Sequence, residues 1–198
     1  MRHHPVKYES GKYGEQAFDL FSWLALYRKK IFINDIIDDD LANILIGQMY
    51  ALSSEATHEI EFIINSPGGS VYAMNCILDA MDMMKEKFTV KTKVAGTAFS
   101  AAAIILTNGT LGHRSATPRS RIMFHDISSG GTGKFTDLEA SLEETRHLRD
   151  SISDTIKYNT LITDENVKEF MSTDRYIGAE EAMELSIIDK ISNTIDQY

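Results

Sequence analysis

Short β-rich runs alternate along the chain with longer amphipathic stretches, and this alternation limits the possible folds more than any other feature. The runs are four to six residues long, are rich in Ile, Val or Phe, and cover residues 30–33, 60–64, 89–94, 121–124 and 187–191. Residues 39–52 and 71–84 instead repeat apolar side chains at a spacing of three to four, which is typical of a helix with one buried face. Strands that alternate with helices predict an α/β domain.

A longer amphipathic stretch follows a glycine-rich run in the second half of the chain. Residues 137–160 carry one apolar stripe, with Glu, Arg and Asp elsewhere, and predict a long helix that projects from the body of the domain. A short run of small apolar residues at 100–107 predicts a buried helix. A last helix is predicted at 164–171, beginning after Thr163. With 198 residues, the chain suits one domain.

Charge and cysteine content exclude several classes of function. The formal net charge is −9 and the sequence pI is about 5.1, which argues against broad binding of nucleic acid or of anionic membranes. Cys76 is the single cysteine, so an internal disulfide is impossible. Neither a signal peptide nor an apolar stretch of 18 residues is found. We therefore expect a cytoplasmic protein, and no motif predicts a metal or a cofactor.

A tight turn at residues 65–70 joins a predicted strand to a predicted helix. Its sequence is NSPGGS, and the two glycines allow positive φ and a close approach of a ligand to the backbone. Such a turn can direct backbone N–H groups at an anion, as in an oxyanion hole. The phosphate-binding patterns GxxxxGK and GxGxxG are absent. Taken alone, the turn favours a purely structural strand-to-helix connection over an anion site.

Ser100 stands at the predicted start of the short buried helix. A serine in this position usually caps the helix through its side chain. The alternative is a nucleophile, with the N–H of Ala101 directed at a developing oxyanion. The surroundings do not form the GxSxG elbow of α/β-hydrolases.

A serine nucleophile requires a base, and six histidines are available. His125 alone ends an apolar run and is followed directly by a flexible segment, which is where catalytic groups are often found. A single histidine at the end of a strand is, however, more often an ordinary polar residue. Spacing does not select the acid that would orient it, and Asp126, Asp137, Asp174 and other acidic residues are all candidates.

Four motifs in a fixed order nevertheless resemble one known family. They are residues 65–69 (NSPGG), Ser100 followed by three alanines, residues 123–125 (MFH), and residues 174–182 (DRYIGAEEA) with IID at 187–189. In order and spacing the chain resembles the ClpP peptidases along nearly its whole length. The resemblance implies the ClpP/crotonase-type fold, an α/β fold of repeated β-β-α units with a projecting handle helix.

The resemblance also implies roles for individual residues. Ser100 matches the nucleophile, His125 the general base and Asp174 the acid that orients the base. Gly69 and Ala101 match the positions whose N–H groups form the oxyanion hole. The substrate-binding segment, which pairs with the backbone of the substrate, matches Gly130, Gly131 and Thr132.

The same resemblance implies a domain organisation and an assembly. Residues 1–16 match an N-terminal segment that is a candidate axial loop, and residues 17–198 match the peptidase domain, with the handle region at about 126–160. The family implies a homo-oligomeric, seven-subunit ring, single or stacked in pairs around a closed chamber. Three positions depart from the family pattern, namely Ala101 instead of Met, Asp126-Ile127 instead of Gln-Pro, and Ser172-Thr173 instead of a charged pair.

An AAA+ unfoldase is the partner implied by the family, in which an apolar pocket on the ring face receives a loop of the unfoldase. The positions that line this pocket by alignment are Glu61, Ile63, Lys93, Ala95, Ser115 and Thr117. Only Ile63 has a large apolar side chain, so the pocket looks degraded, although these residues could also be a solvated strand surface. We expect that a standard unfoldase is not recruited there.

Three other functions remain open on the sequence. The chain could be a stand-alone peptidase of the same fold that acts without a standard unfoldase, as a viral-type or signal-peptide-degrading enzyme would. It could be an acyl-CoA enzyme of the related crotonase fold, although no patch for the CoA phosphates is visible. It could also be an inactive structural ring subunit, but none of the expected triad residues is missing.

Overall fold

The fold comes from a computed structural model that describes residues 6–11, 14–54, 58–130 and 132–193. The strands in these ranges are β1 (Val6–Gly11), β2 (Gly14–Asp19), β3 (Lys30–Ile33), β4 (Glu59–Ser66), β5 (Thr89–Phe99), β6 (Arg114–Ala116), β7 (Arg121–Phe124), β8 (Arg175–Gly178) and β9 (Lys190–Ile191). The helices are α1 (Leu20–Arg28), α2 (Asp39–Ser53), α3 (Val71–Lys85), α4 (Ala101–Thr107), α5 (Phe135–Asn159), α6 (Asp164–Met171) and α7 (Ala179–Glu184).

A mostly parallel sheet organises the domain. Strands β3, β4, β5, β6 and β9 lie side by side in this order, each parallel to its neighbour. The long strand β5 has two successive partners on one edge, because its first half pairs with β6 and its second half with β7. β8 then pairs antiparallel with β7. Helices α2, α3 and α4 connect successive parallel strands, as parallel pairing requires.

Burial of the central strands and of one short helix forms the core. Phe62 and Ile64 of β4 and Val90 and Val94 of β5 are fully buried, as expected for parallel strands with both faces covered. All seven residues of α4 are buried as well. Small side chains in its first turn let the helix lie close to the sheet, and this confirms the buried helix predicted at 100–107.

Side-chain caps explain where two of the connecting helices begin. The carboxylate of Asp38 accepts a hydrogen bond from the N–H of Leu41 at 2.8 Å, at the start of α2. The hydroxyl of Ser70 accepts one from the N–H of Ala73 at 3.3 Å, at the start of α3. Each cap satisfies an N–H group that has no acceptor within its own helix.

The long helix α5 divides into two unlike halves. In its second half, Leu148, Ile152 and Ile156 are buried against the core. In its first half, Phe135 is 73% exposed and Leu142 is 51% exposed. Only the first half of α5 therefore projects from the body of the domain as predicted.

Several elements differ from the sequence-based expectations. The strand predicted at 187–191 is limited to Lys190–Ile191, which pairs with β6, whereas Ile187 and Ile188 pack in the core within the irregular segment after α7. Neither α1 nor the β1–β2 hairpin was predicted. Strand β2 includes residues 16 and 17, where the N-terminal segment was predicted to meet the peptidase domain, and that division stays a prediction. None of the helices in the described ranges is long and apolar enough to cross a membrane.

Candidate active site

Ser100 lies in a strained turn between β5 and α4. Its φ is 54° and its ψ is −123°, a conformation that side-chain-bearing residues rarely adopt. The turn is held by the N–H of Ser100, which donates to the carbonyl of Met123 at 2.8 Å, and by the carbonyl of Ser100, which accepts from Ala103. The Ser100 side chain makes no capping hydrogen bond to α4, so the interpretation of Ser100 as an ordinary N-cap is wrong.

His125 lies within hydrogen-bonding distance of this serine. Its Nε2 is 2.8 Å from the Oγ of Ser100. The parallel pairing of β5 with β7 explains the proximity, because the register Phe99↔Met123 brings the carboxyl ends of both strands to the same edge of the sheet. The His125 side chain is only 27% exposed. A serine hydroxyl bonded to an imidazole is the arrangement that a nucleophile and its base require.

Asp174 lies on the other side of the imidazole, at a longer distance. Its Oδ1 is 3.9 Å from the Nδ1 of His125, and its side chain is 63% exposed. The antiparallel pair Phe124↔Arg175 brings the ends of β7 and β8 together and so brings these two residues near each other. A separation of 3.9 Å exceeds that of a hydrogen bond.

Asp126 is engaged elsewhere. Its Oδ2 forms an ion pair with Arg149 of α5 at 2.8 Å, and its Oδ1 accepts a hydrogen bond from the N–H of Ile127. Asp137 lies in the first turn of α5. Of the three acids named above, Asp174 is the one that forms an ion pair with the Nδ1 of His125 in the described part of the chain.

The glycine turn packs directly against the nucleophile. A Cβ on Gly68, whose φ is 91°, would lie 2.4 Å from the carbonyl oxygen of Phe99 and 2.8 Å from the Cβ of Ser100. A Cβ on Gly69 would lie 2.1 Å from the carbonyl oxygen of Ile37. Only glycine therefore lets this turn approach both neighbours, which is the physical reason for the Gly-Gly pair.

Peptide geometry orients the N–H of Gly69. The carbonyl of Gly68 accepts from the N–H of Ile37 at 2.9 Å, and the N–H of Ser70 donates to the carbonyl of Ile37 at 2.7 Å. In a trans peptide the C=O and the N–H point in opposite directions, so the N–H of Gly69 points away from Ile37. The N–H of Ala101, at the first position of α4, has no acceptor within that helix.

These groups border one cleft of about 120 Å³. Gly69, Ser100, Ala101 and His125 all line it. The rest of the lining is largely apolar and comes from Val71, Met74, Ile104, Phe124, Ile127 and Ile152, with Asp126 and Ser128 at one side. The cleft can therefore accept an apolar side chain next to the serine hydroxyl.

The predicted substrate-binding segment is not part of this lining. Gly130 and Thr132 are exposed, and the described residues that line the cleft on this side end at Ser128. Gly131 lies outside the described residues. The role of this segment stays a prediction.

The positions predicted to line a degraded docking pocket are not a uniformly solvated surface. Glu61 is 4% exposed and Lys93 is 8% exposed. Glu61 forms an ion pair with Lys30 across the β3–β4 pair, and Ser115, next to Lys93 in the sheet, is also buried. Ile63 and Thr117 are half-buried and Ala95 is exposed. The alternative of a solvated strand surface is therefore wrong for Glu61, Lys93 and Ser115.

Two features of the site were missed by sequence reasoning. One is the ion pair between Asp126 and Arg149, because nothing in the local pattern predicts which residue of a long helix faces the end of β7. The other is the contribution of Ile127 and Ile152 to the apolar wall of the cleft. The sequence predicted an apolar stripe on the long helix, but not the segment after β7 against which this stripe packs.

The parallel α/β fold and a serine–histidine pair at one edge of its sheet are the features of a hydrolase that acts through a serine. A comparison with protein families agrees with this class, since the family described as Clp protease matches residues 12–194. The match covers nearly the whole chain, and the chain therefore belongs to the Clp protease family. This confirms the predicted family and the ClpP/crotonase-type α/β fold.

Proposed function

We propose that this chain is a serine endopeptidase that cleaves unfolded polypeptides or peptides through an acyl-enzyme. The observation that carries the proposal is the 2.8 Å distance between the Nε2 of His125 and the Oγ of Ser100, in a strained turn that leaves the hydroxyl free of helix capping. Membership of the Clp protease family supports the same reaction class.

In this mechanism His125 accepts the proton of Ser100 as the oxygen attacks the scissile carbonyl. The imidazolium then gives the proton to the leaving amine, and a water molecule that His125 activates releases the acyl group. Asp174 stabilises the imidazolium and selects the tautomer with its proton on Nδ1. The 3.9 Å separation requires a small approach of Asp174 to form that hydrogen bond, and such bonds often tighten when substrate is bound.

Gly69 and Ala101 are proposed to stabilise the tetrahedral intermediate. Both residues line the cleft beside Ser100. The N–H of Gly69 points away from its β-bridge partner Ile37, and the N–H of Ala101 is unused by α4. Two such backbone donors form an oxyanion hole without any charged side chain.

The cleft supports a preference for an apolar side chain on the acyl side of the scissile bond. Val71, Met74 and Ile104 surround the space next to Ser100, and burying a side chain such as Leu there would contribute about 1.5–3 kcal/mol. An extended, unfolded substrate would pair through its backbone with residues 130–132.

The assembly is proposed to be a homo-oligomeric, seven-subunit ring, single or double. The first half of α5 supports a contact between rings, because Phe135, Leu138 and Leu142 are all exposed there. Such a contiguous apolar stripe on one helix is normally covered by a partner. With a single cysteine, we propose the cytoplasm as the compartment.

We further propose that this subunit does not use the standard apolar pocket to recruit an AAA+ unfoldase. Glu61, one of the positions that would line the pocket, forms an ion pair with Lys30, so an apolar loop would meet a charged pair there and no apolar surface to bury against. The purified homo-oligomer should therefore fail to degrade a folded, tagged substrate with a standard unfoldase and ATP. ATP-dependent degradation that disappears when the unfoldase loop is deleted would contradict this proposal.

The test of the proposed activity is fluorophosphonate labelling followed by intact-mass analysis. One adduct per chain is expected on the unmodified protein, and none on Ser100→Ala. The same substitution should reduce hydrolysis of a short fluorogenic peptide by about 10⁴-fold or more and leave the melting temperature unchanged. A Ser100→Ala protein that cleaves the peptide within about tenfold of the unmodified protein would overturn the assignment.

A further inference from the structure

Both carboxylate oxygens of Asp126, the residue after the proposed base, have partners, and one of them binds α5. The Oδ2 of Asp126 lies 2.8 Å from the guanidinium of Arg149. The Oδ1 of Asp126 accepts the N–H of Ile127 at 2.8 Å. One side chain therefore fixes the main chain just beyond His125 and connects it to a helix that is remote in sequence.

His125 needs such an anchor because its other supports are few. Strand β7 ends at Phe124, whose partner is Arg175, so the regular ladder no longer holds the chain at His125. The imidazole bonds to Ser100, but the carboxylate of Asp174 is 3.9 Å away and largely exposed. The direction in which the imidazole points thus depends on how the backbone after β7 is held.

Arg149 lies on the face of α5 that forms one wall of the cleft. Ile152 is three residues further along the helix, so the two side chains project from the same face. Ile152 is 6% exposed and lines the cleft together with Ile127. The ion pair and this apolar wall therefore join the same two segments, α5 and the chain that follows β7.

We infer that Arg149 is a positioning residue for the peptidase reaction and that it acts through Asp126 to hold His125 and the cleft wall in place. This inference rests on the proposed function. Arg149 is not a catalytic residue, because it acts on the reacting groups only through the carboxylate of Asp126. The structure thereby connects α5 to the proposed base by a contact that a movement of the helix would break.

The experiment compares Arg149→Met with a matched control on the same helix. Arg146→Met removes an exposed arginine that lies one turn earlier and does not line the cleft. The readouts are kcat and KM for a short fluorogenic peptide, the rate of fluorophosphonate labelling, and the melting temperature. Arg149→Met should lower kcat and the labelling rate by about tenfold. This is less than the roughly 10²-fold loss that a displacement of about 1 Å can cause, because the ion pair of Arg149 and Asp126 is partly exposed. KM should stay within about twofold, as expected when positioning rather than binding is lost.

A double-mutant cycle tests whether Arg149 acts through Asp126. Asp126→Asn keeps an oxygen for the N–H of Ile127 but loses the ion pair, so it should resemble Arg149→Met. Because both substitutions remove the same contact, the double variant should lose no more activity than either single variant. Arg149→Lys should recover part of the loss, and Arg146→Met should match the unmodified protein.

The following outcomes would overturn the inference. One is an Arg149→Met protein with kcat within twofold of the Arg146→Met control. Another is a double variant whose loss is the product of the two single losses. If Arg149→Met does not fold, Asp126→Asn decides the question by the same kcat criterion. An unmodified protein that is neither labelled nor active would overturn the proposed function and this inference together, which distinguishes that failure from the others.

Discussion

Asp189 and Asp174 each face a cationic or ionisable side chain, and the two are held in opposite ways. Asp189 is 15% exposed and forms an ion pair with Arg114 at 2.7 Å, while it also accepts from the Nε and the backbone N–H of Arg114. Asp174 is 63% exposed and stands 3.9 Å from His125. Several hydrogen bonds join Asp189 to Arg114, whereas Asp174 and His125 are too far apart for a hydrogen bond.

The two aspartates therefore suit different purposes: Asp189 stabilises the fold, and Asp174 is proposed to act in catalysis. Arg114, only 1% exposed, also donates to the carbonyl of Asn159 and to the hydroxyl of Ser186, so it ties the end of α5 and the turn after α7 to β6. Such a network is rigid because every polar group in it is satisfied. A proposed catalytic acid requires the reverse, namely access to a partner whose charge changes during the reaction.

The largest effect should come from Asp174. Asp174→Asn should lower kcat by about 10³-fold or more, because an amide neither stabilises the imidazolium nor selects the tautomer of His125. The melting temperature should hardly change, since the side chain is exposed. Steady-state hydrolysis of a fluorogenic peptide and a thermal melt provide the two measurements. Asp126→Asn should lose far less activity, and the reverse ranking of the two variants would refute the assignment of the acid.

The next effect should appear in stability instead of catalysis. Arg114→Met leaves Asp189 as an unpaired, mostly buried carboxylate and should lower the free energy of unfolding by about 3–5 kcal/mol. Urea denaturation measures this loss. The folded fraction should retain near-normal kcat, because none of the hydrogen bonds of Arg114 reaches the cleft. A tenfold loss of kcat in a fully folded sample would show that the two networks are coupled.

The pH dependence of the same pair sharpens the comparison. Burial by itself raises the pKa of Asp189, but the hydrogen bonds and charge of Arg114 outweigh it and hold this pKa below its ordinary value of 3.8. A depressed pKa stabilises the fold at pH values above the ordinary pKa, and this stabilisation is lost as the pH falls through the folded value. The difference in unfolding free energy between the unmodified protein and Asp189→Asn should therefore be constant near neutral pH and shrink below about pH 4.

The smallest expected effect is the difference between alanine substitutions at two glycines with similar φ angles. Gly68 has φ of 91° and abuts Phe99 and Ser100, whereas Gly112 has φ of 86° and nothing within 4 Å of its Cβ position. Gly112→Ala should cost only the strain of the left-handed conformation, about 1–2 kcal/mol. Gly68→Ala should cost about 1–3 kcal/mol more, as an overpacked site does, and should also lower kcat because the added methyl group displaces the turn of Ser100. Equal effects in urea denaturation and peptide hydrolysis would contradict the close contact.

Local patterns were sufficient for most of the connecting elements. Apolar spacing and end signals predicted α2, α3 and α6 to within one residue at each end, and the runs at 30–33 and 121–124 coincide with β3 and β7. Such signals are local, because periodicity and caps involve residues within one or two turns. These signals also placed Ser100 at the start of a helix and His125 at the end of a strand, which made them candidates for a nucleophile and its base.

The same local signals failed where distant segments decide the outcome. Ile187 and Ile188 resemble a strand because they are apolar, but they are core residues of an irregular segment. In β1, Val6 and Tyr8 alternate with polar residues but are exposed, and a run this short does not by itself predict that it pairs with β2.

The position of Asp174 beside His125 and the contact between Asp126 and Arg149 depend on the tertiary structure. Spacing left several aspartates open, the family resemblance implied Asp174, and the pairing of β7 with β8 brings Asp174 near His125. The packing of α5 brought Arg149 to Asp126. Periodicity can show which face of a helix is buried, but the sheet register and the docking of that helix determine which two side chains meet, because these contacts join residues that are far apart in the chain.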